Sequence, residues 1–362
     1  MIMFRHALAV AILVLVLLLV GCAGEEELTF GAVMPLHGPA DMTDVRDGMQ
    51  LAVSEVNDAG GVDGREIRLH VADSGSDPTG ATEKLRNLNA EVSPLLVFST
   101  LSSITRAVSS HAEAEEIPLI GLVATDPEIR RGKEWTYVFY PSAEHETAPI
   151  VSMMQQNGAE QVRVLYYDDA YGRSVRIEMD RRAELTGLDV SSRAYSGNET
   201  DLPELVAAAE GSDAVYLVGF ATHIVAMHRE LSSRGYNGMI LSTSTVTVPA
   251  LREEHDLDGI YAAAPLLYND DFVFARDVAA RYRSSYEREF SHYAATGYDI
   301  IKILAGLLDG ADLDRRGVIE VLGDGFIYPG VFGEIRLPEG GHNIFFPLHP
   351  VRIDGKELEY LN

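Results

Sequence analysis

The chain has one cysteine, one tryptophan and only four lysines (Lys84, Lys133, Lys302 and Lys356) among its 29 basic residues. A single thiol, Cys22, excludes an intramolecular disulfide framework and any cysteine-rich metal cluster. Positive charge is scarce: 29 Lys and Arg stand against 55 Asp and Glu, a net charge of −26. Nucleic acid is therefore excluded as a partner, because phosphate neutralisation needs a concentrated basic face. The same self-repulsion favours a monomer. Long apolar runs are missing too. The longest, Ala7 to Val20, has 14 residues, short of the roughly 20 that a spanning helix needs. There is no Gly-x-Ser-x-Gly elbow, Walker loop or metal-spaced Cys/His set. His223 and His228 are five apart, about 140° around a helix, which is a poor shared ligand pair. His111 lies among Glu113, Glu115 and Glu116 and suits a solvated helix face. The acid runs Asn269-Asp270-Asp271 and Asp312-Leu313-Asp314 lack a calcium-loop spacing and suit helix starts. Neither catalysis nor a metal or cofactor is expected.

The short apolar run is itself informative. It follows Arg5 and ends at Gly21-Cys22, which fits the h-region of a secretory signal. Leu19-Val20-Gly21-Cys22 resembles the lipobox of bacterial lipoproteins. That resemblance implies removal of residues 1–21, lipidation of the Cys22 thiol and a mature protein tethered to the membrane outside the cytoplasm. The competing reading, a chance cysteine behind an ordinary signal, leaves an isolated exported thiol open to oxidation.

The roughly 340 residues that follow suffice for two ordinary domains. They alternate strand-like and helix-like segments. Leu28 to Met34 reads as a strand, and Asp44 to Asp58 carries Val45, Met49, Ala52, Val53 and Val56 at helical spacing. Ile67, Leu69 and Val71 alternate as in a strand, and Asp77-Pro78 opens the next helix. Short apolar runs recur at Pro94–Phe98, Pro118–Val123, Val162–Tyr166, Ala214–Val218 and Met239–Leu241, each followed by a turn and an amphipathic segment. This pattern predicts α/β architecture, with parallel sheets covered by helices on both faces. Breaks near Pro141–Glu146 and Pro265–Asp270 mark changes of lobe. Helices are expected over Asp270–Glu289 and Thr296–Leu308, and a strand-rich tail over Gly330–Tyr360. Gly60-Gly61 with Gly64 follows a helix, so it reads as a turn and not as a phosphate loop.

Several of these stretches, taken in order, resemble the branched-chain amino acid-binding family of type I periplasmic binding proteins, which serve ABC importers. They are Gly31-Ala32-Val33-Met34-Pro35-Leu36-His37-Gly38-Pro39, Leu51-Ala52-Val53 with Asn57, and Gly60-Gly61-Val62-Asp63-Gly64-Arg65. Asp73 with Asp77-Pro78, Ile117-Pro118-Leu119-Ile120, Ala124-Thr125-Asp126-Pro127, Asp168 to Tyr171-Gly172, and Tyr298-Asp299 complete the set. The resemblance implies two Rossmann-like lobes joined by three hinge crossovers, with ligand captured in the cleft between them. Residues 28–142 and 271–346 are then expected to form the N-terminal lobe, and 143–270 and 347–362 the C-terminal lobe. The implied partners are a small organic ligand and the permease and ATPase subunits of an ABC importer.

The site residues make physical sense. Ser102 and Ser103 follow a strand and open an expected helix, Ile104 to Ala114, whose unpaired N–H groups and positive dipole suit a carboxylate. Ligands of doubly wound sheets gather at such strand ends. Thr125, after the next strand, offers a hydroxyl and an N–H to the same anion. The resemblance assigns carboxylate contacts to Ser102 and Thr125, leaves the Val123 carbonyl for a ligand ammonium, and carries a ligand-facing aromatic onto Tyr171. The plainer alternatives are helix caps for the hydroxyl residues and a half-buried strand-end tyrosine. Tyr166 and Tyr167 are less favoured contacts.

The chain also departs from the family. Phe220 stands where a second cleft tyrosine is usual, and Ser244 where a glutamate pairs with the ligand ammonium. The Pro39–Gly48 loop offers no aromatic wall residue. Loss of one partner of a buried ion pair costs about 3–5 kcal/mol. The expected ligand is therefore a carboxylate or amide with an apolar body, unless Asp169 or Asp41 supplies the missing acid. Two other functions compete with the importer role. One is a sensor that presents its closed state to a receptor, distinguished by the absence of permease genes nearby. The other is a lipoprotein hydrolase, distinguished by turnover of esters or amides.

Overall fold

The computed structural model describes residues 27–75, 77–197, 202–269 and 271–361. The expected signal segment 1–21 and Cys22 lie outside the described residues. Among those described, no helix is long and apolar enough to cross a membrane.

The first lobe begins with β1 (Leu28–Met34), α1 (Thr43–Asp58), β2 (Ile67–Asp73), α2 (Pro78–Val92), β3 (Leu96–Thr100), α3 (Ser102–Ala114), β4 (Leu119–Leu122) and β5 (Thr136–Phe139). Strands β1, β3, β4 and β5 are almost wholly buried, as parallel strands covered on both faces must be, while β2 at the sheet edge is mostly half-buried. Local chemistry sets the helix starts. Asp77 caps α2 by accepting the N–H groups of Thr79 and Gly80, with Pro78 in the first turn.

The chain then crosses over. The second lobe holds α4 (Ala143–Gln156), β6 (Gln161–Tyr167), α5 (Ala170–Thr186), β7 (Asp189–Tyr195), α6 (Leu202–Ala207), β8 (Ala214–Val218), α7 (Ala221–Ser233), β9 (Met239–Ser242), α8 (Pro249–Glu254) and β10 (Tyr261–Ala264). It returns to the first lobe through α9 (Arg276–Tyr286), α10 (His292–Leu308), α11 (Arg315–Gly323), the hairpin β11 (Phe326–Gly330) and β12 (Gly333–Leu337), and β13 (Asn343–Ile344). A third crossing leads to β14 (His349–Asp354) and β15 (Glu357–Tyr360).

The strand order is β13-β5-β4-β3-β1-β2 in one sheet and β15-β14-β10-β9-β8-β6-β7 in the other. The first is parallel throughout. The second is parallel except where β14 pairs antiparallel with β10 and β15. In each sheet the order reverses beside the first strand of its lobe, β1 or β6. Such switch points leave a crevice at the strand carboxyl ends.

Two segments are shorter or shifted relative to the sequence reading. The helix expected over Asp270–Glu289 starts only at Arg276, because Asn269 instead closes a turn by accepting the Asp271 N–H. The helix expected from Thr296 begins at His292, where the Ser291 hydroxyl caps it. That earlier start matters, since its first turn carries Tyr293 to the space between the lobes. Glycine fixes its position: a Cβ on Gly48 would lie 1.9 Å from the Ala294 carbonyl oxygen, and one on Gly297 2.1 Å from that of Val45. Only glycine allows α1 and α10 this close an approach.

Candidate ligand-binding cleft

A cavity of ≈ 300 Å³ lies between the lobes, at the small end of the roughly 300–1,000 Å³ usual for small-molecule sites. Both sheets open their carboxyl ends into it. Leu101 and Ser102 come from the end of β3, Val123 and Thr125 from the end of β4, and Tyr140 from the end of β5. Across the cleft, Asp169 and Tyr171 follow β6, Phe220 follows β8 and Ser244 follows β9.

The first-lobe wall is built from backbone and short hydroxyls. Ser102 does not cap α3, because the helix already includes it and Leu101 stands at the cap position. Its Oγ accepts the N–H groups of Thr125 at 3.0 Å and Asp126 at 3.2 Å, tying the two strand ends together. The Thr125 N–H is thus taken, which corrects the expectation that it serves an anion. Its hydroxyl is another matter: Thr125 Oγ1 is buried and has no hydrogen-bond partner among the described residues, although the residue lines the cavity. A buried, unpaired hydroxyl at a cavity wall is a group waiting for a partner. The first N–H groups of α3 have no intrahelical acceptor either, as at any helix start.

The same wall carries backbone strain. Leu101 has φ 65° and the β-branched Val123 has φ 53°, a region that side chains of this kind rarely occupy. Each such residue costs about 1–3 kcal/mol and persists only where its surroundings enforce it. Both line the cavity.

The second-lobe wall is built from side chains. Phe220 packs its ring at 5.1 Å against Tyr167, and Tyr167 stacks at 5.2 Å on His223. Tyr167 is thus a support behind the wall. The Tyr171 hydroxyl lies 3.2 Å from each carboxylate oxygen of Glu146, and donates to it. Ser244 links the hinge to the cleft, its Oγ lying 3.1 Å from the Tyr140 hydroxyl. Its N–H points at Glu146 Oε1 from 3.4 Å.

Sequence reading missed Glu146. It stands in the first turn of α4, is 1% exposed and lines the cavity. Burial raises its carboxyl to about 7, opposed by the Ser244 N–H and the Tyr171 hydroxyl. A signal for it was available: Glu146, Ile150 and Met154 fall on one buried stripe, and an acid on an apolar stripe is rarely idle. Asp169, named as a substitute acid, also lines the cavity but caps α5 by accepting the Gly172 N–H at 2.8 Å. Burial raises its carboxyl, while the Gly172 N–H and the Ser103 hydroxyl pull it down. Asp41 lines the cavity as well.

Ser103 stands beside the cavity and is not among the residues that line it. Consecutive residues on a helix diverge by about 100°, so Ser102 and Ser103 cannot both face the same point. The Ser103 hydroxyl instead reaches across the cleft to Asp169 Oδ2 at 3.4 Å. Among the described residues, no cluster of His, Cys, Asp and Glu could hold a metal ion.

A family model described as periplasmic binding protein matches residues 27–357. A Leu/Ile/Val-binding protein homolog of Brucella abortus is 27% identical over 235 residues, which are 60% of this chain and 58% of that protein. A chemotactic signal transduction system substrate-binding protein of Halobacterium salinarum is 29% identical over 239 residues, covering 61% and 57% of the two chains. The chain thus spans less than two thirds of the length of the curated relatives it matches. Among solved structures, a branched-chain amino acid transporter substrate binding protein of Streptococcus pneumoniae, in complex with isoleucine, superposes with a TM-score of 0.82. It shares 21% identity over 93% of this chain and 99% of that one, a likeness of fold.

Proposed function

We propose, from the premise that the chain belongs to the periplasmic binding protein family, that it is the extracytoplasmic solute-binding component of an ABC importer. Residues 28–142 and 271–346 form one jaw and 143–270 and 347–362 the other. A small organic ligand enters between them. Its carboxylate sits at the start of α3 and on the free hydroxyl of Thr125, with Ser102 holding the two strand ends in place. Its apolar body lies against Leu101, Val123 and Phe220, with Tyr171 and Ser244 closing over it. The observation that carries this reading is the buried, unpartnered Thr125 hydroxyl at the wall of a cavity shared by both lobes.

Binding and closure are one equilibrium. A ligand touching both walls stabilises the closed arrangement by its differential affinity, and the three crossovers absorb the rotation. Burying one aliphatic side chain contributes about 1.5–3 kcal/mol, and each hydrogen bond to a charged head group about 1.5–3 kcal/mol. No bond of the ligand is made or broken. The Cys22 thiol, once lipidated, keeps the protein at the membrane beside its permease. Cys22→Ala should release it into the soluble fraction.

The test is a thermal-shift screen of the purified protein with branched-chain amino acids, aliphatic and aromatic carboxylates, and short amides, paired with solution scattering. A ligand that binds only the folded state raises the melting temperature by mass action. It should also reduce the radius of gyration. A melting shift without compaction contradicts the closing cleft. A sensor role is the second reading, favoured by the relative described as part of a chemotactic signal transduction system. Transport by a reconstituted permease would separate the two.

A further inference from the structure

We propose that Glu146 is the specificity-determining acid of this cleft and seats a cationic nitrogen of the ligand, doing so from α4 where relatives are expected to use the position of Ser244. The inference rests on the reading of the cavity as a solute site. The first support is charge. Asp41, Glu146, Asp169 and Glu254 all line the cavity, and among the described residues no lysine, arginine or histidine does. A ligand that is purely anionic meets four carboxyl groups and no compensating cation. A ligand bearing a positive nitrogen meets the opposite field.

The second support is the unfinished state of Glu146 itself. Its two oxygens share one Tyr171 hydroxyl and one long contact from the Ser244 N–H. An ionised carboxylate can accept about four hydrogen bonds. Among the described residues no cation lies against it: the influences on its carboxyl are burial, Ser244 and Tyr171. Buried charges are ordinarily paired, so the open partner is left to the ligand.

The third support is position. The Ala143 N–H, at the start of α4, donates to the Thr125 carbonyl at 3.2 Å. Glu146 is three residues further along, about 4.5 Å in rise. The acid and the free Thr125 hydroxyl are thereby held at neighbouring points of one cavity. A ligand whose ammonium and carboxylate are close together, as on one carbon, spans these points.

Seating the nitrogen should displace a proton. Tyr171 on α5, Tyr216 on β8, Tyr140 after β5 and Tyr293 on α10 face Glu146, and burial pushes all four well above the ordinary phenol range or up to about 12. They stay neutral while Glu146 titrates. His145, the preceding residue, stacks instead on Phe345. Of the acids that line the cavity, Asp169 is the other whose carboxyl burial raises.

The experiment is calorimetry of the full protein and of Glu146→Gln and Asp169→Asn with leucine and its des-amino analogue, 4-methylpentanoate, from pH 5 to pH 9. In the wild type, leucine should bind at least 100-fold tighter than the analogue. Its affinity should rise close to tenfold per pH unit below about 6 and level off above about 8. Proton release should appear as a dependence of the heat on buffer ionisation. Glu146→Gln should lose at least 100-fold for leucine, bind the analogue no worse, and lose the pH slope. Asp169→Asn should keep the slope, since Asn also caps a helix. Leucine binding within threefold of wild type in a folded Glu146→Gln protein overturns the role of Glu146 and leaves the solute site standing. Equal or tighter binding of the analogue by the wild type overturns the cationic-ligand inference. If neither compound binds at any pH, the head-group reading of the cavity fails, and this inference fails with it. A melting curve of Glu146→Gln checks that the variant is folded.

Discussion

Glu146 and Asp299 form a natural pair: each is 1% exposed, and burial raises each carboxyl to about 7. They sit in regions of opposite character. Asp299, midway along α10, accepts the Val331 N–H at 2.9 and 3.2 Å, and the N–H of Phe332 also opposes its shift. These donors come from the turn of the β11–β12 hairpin, and the protein closes over the acid completely. Glu146 has one shared hydroxyl and one long N–H contact, and faces the cavity. Equal burial therefore carries different meanings. Where backbone donors complete the acid, it staples two elements; where a cavity is left beside it, it is free to serve a ligand.

The largest break in that comparison is Asp299→Ala. It removes the acceptor of buried hairpin N–H groups, and leaving them unsatisfied should lower stability by about 2–4 kcal/mol in urea denaturation. Gly330→Ala should act on the same staple. A Cβ there would meet Asp299 Oδ2 and Ile335 Cδ1, each at 2.5 Å, and overpacking of this kind costs about 1–3 kcal/mol. A melting temperature unchanged by either substitution would erase the contrast.

Glu146→Gln should have the opposite sign. The unfolded carboxyl titrates near 4.5 and the folded one near 7, so the folded state holds its proton more tightly. Stability from this group is fully present below about 4.5, is lost as pH rises through about 7, and is level above it. Glutamine carries no charge to desolvate. The ligand-free variant should therefore match wild type at pH 4 and exceed it by about 1–3 kcal/mol at pH 8, measured by urea titration at both values. Equal stability at both would show that Glu146 is no longer strained by burial. Smallest is Tyr171→Phe, which removes one hydrogen bond worth about 0.5–1.5 kcal/mol. It should move the Glu146 titration upward, read by the pH dependence of stability.

Legibility in the sequence followed the range of the interactions involved. The strand ends bearing Ser102, Val123 and Thr125, and the turns leading to Tyr171, Phe220 and Ser244, were visible because alternation and helix spacing are local. Ser102 and Ser103 read alike in sequence, whereas helix geometry turns them apart, so that one ties two strand ends and the other reaches Asp169. The use of the Thr125 N–H could not be seen, since its acceptor, Ser102 Oγ, is 23 residues away. Glu146 was passed over because one acid in a first helical turn is ordinary. Its place on the apolar stripe with Ile150 and Met154 is a faint local sign, and its 98-residue contact with Ser244 and its place on the cavity wall are what distinguish it.

The sequence by itself determined the alternating α/β plan, because side-chain periodicity and turn chemistry act over a few residues. It also determined the anionic character of the molecule, because charge is a property of composition. The tertiary structure alone decided which acids face the cavity, which of the buried hydroxyls without a partner among the described residues stands at its wall, and which of two equally buried carboxylates is complete. Those outcomes depend on groups brought together from distant parts of the chain, where desolvation and hydrogen bonding are set by the assembled surroundings rather than by neighbours in sequence.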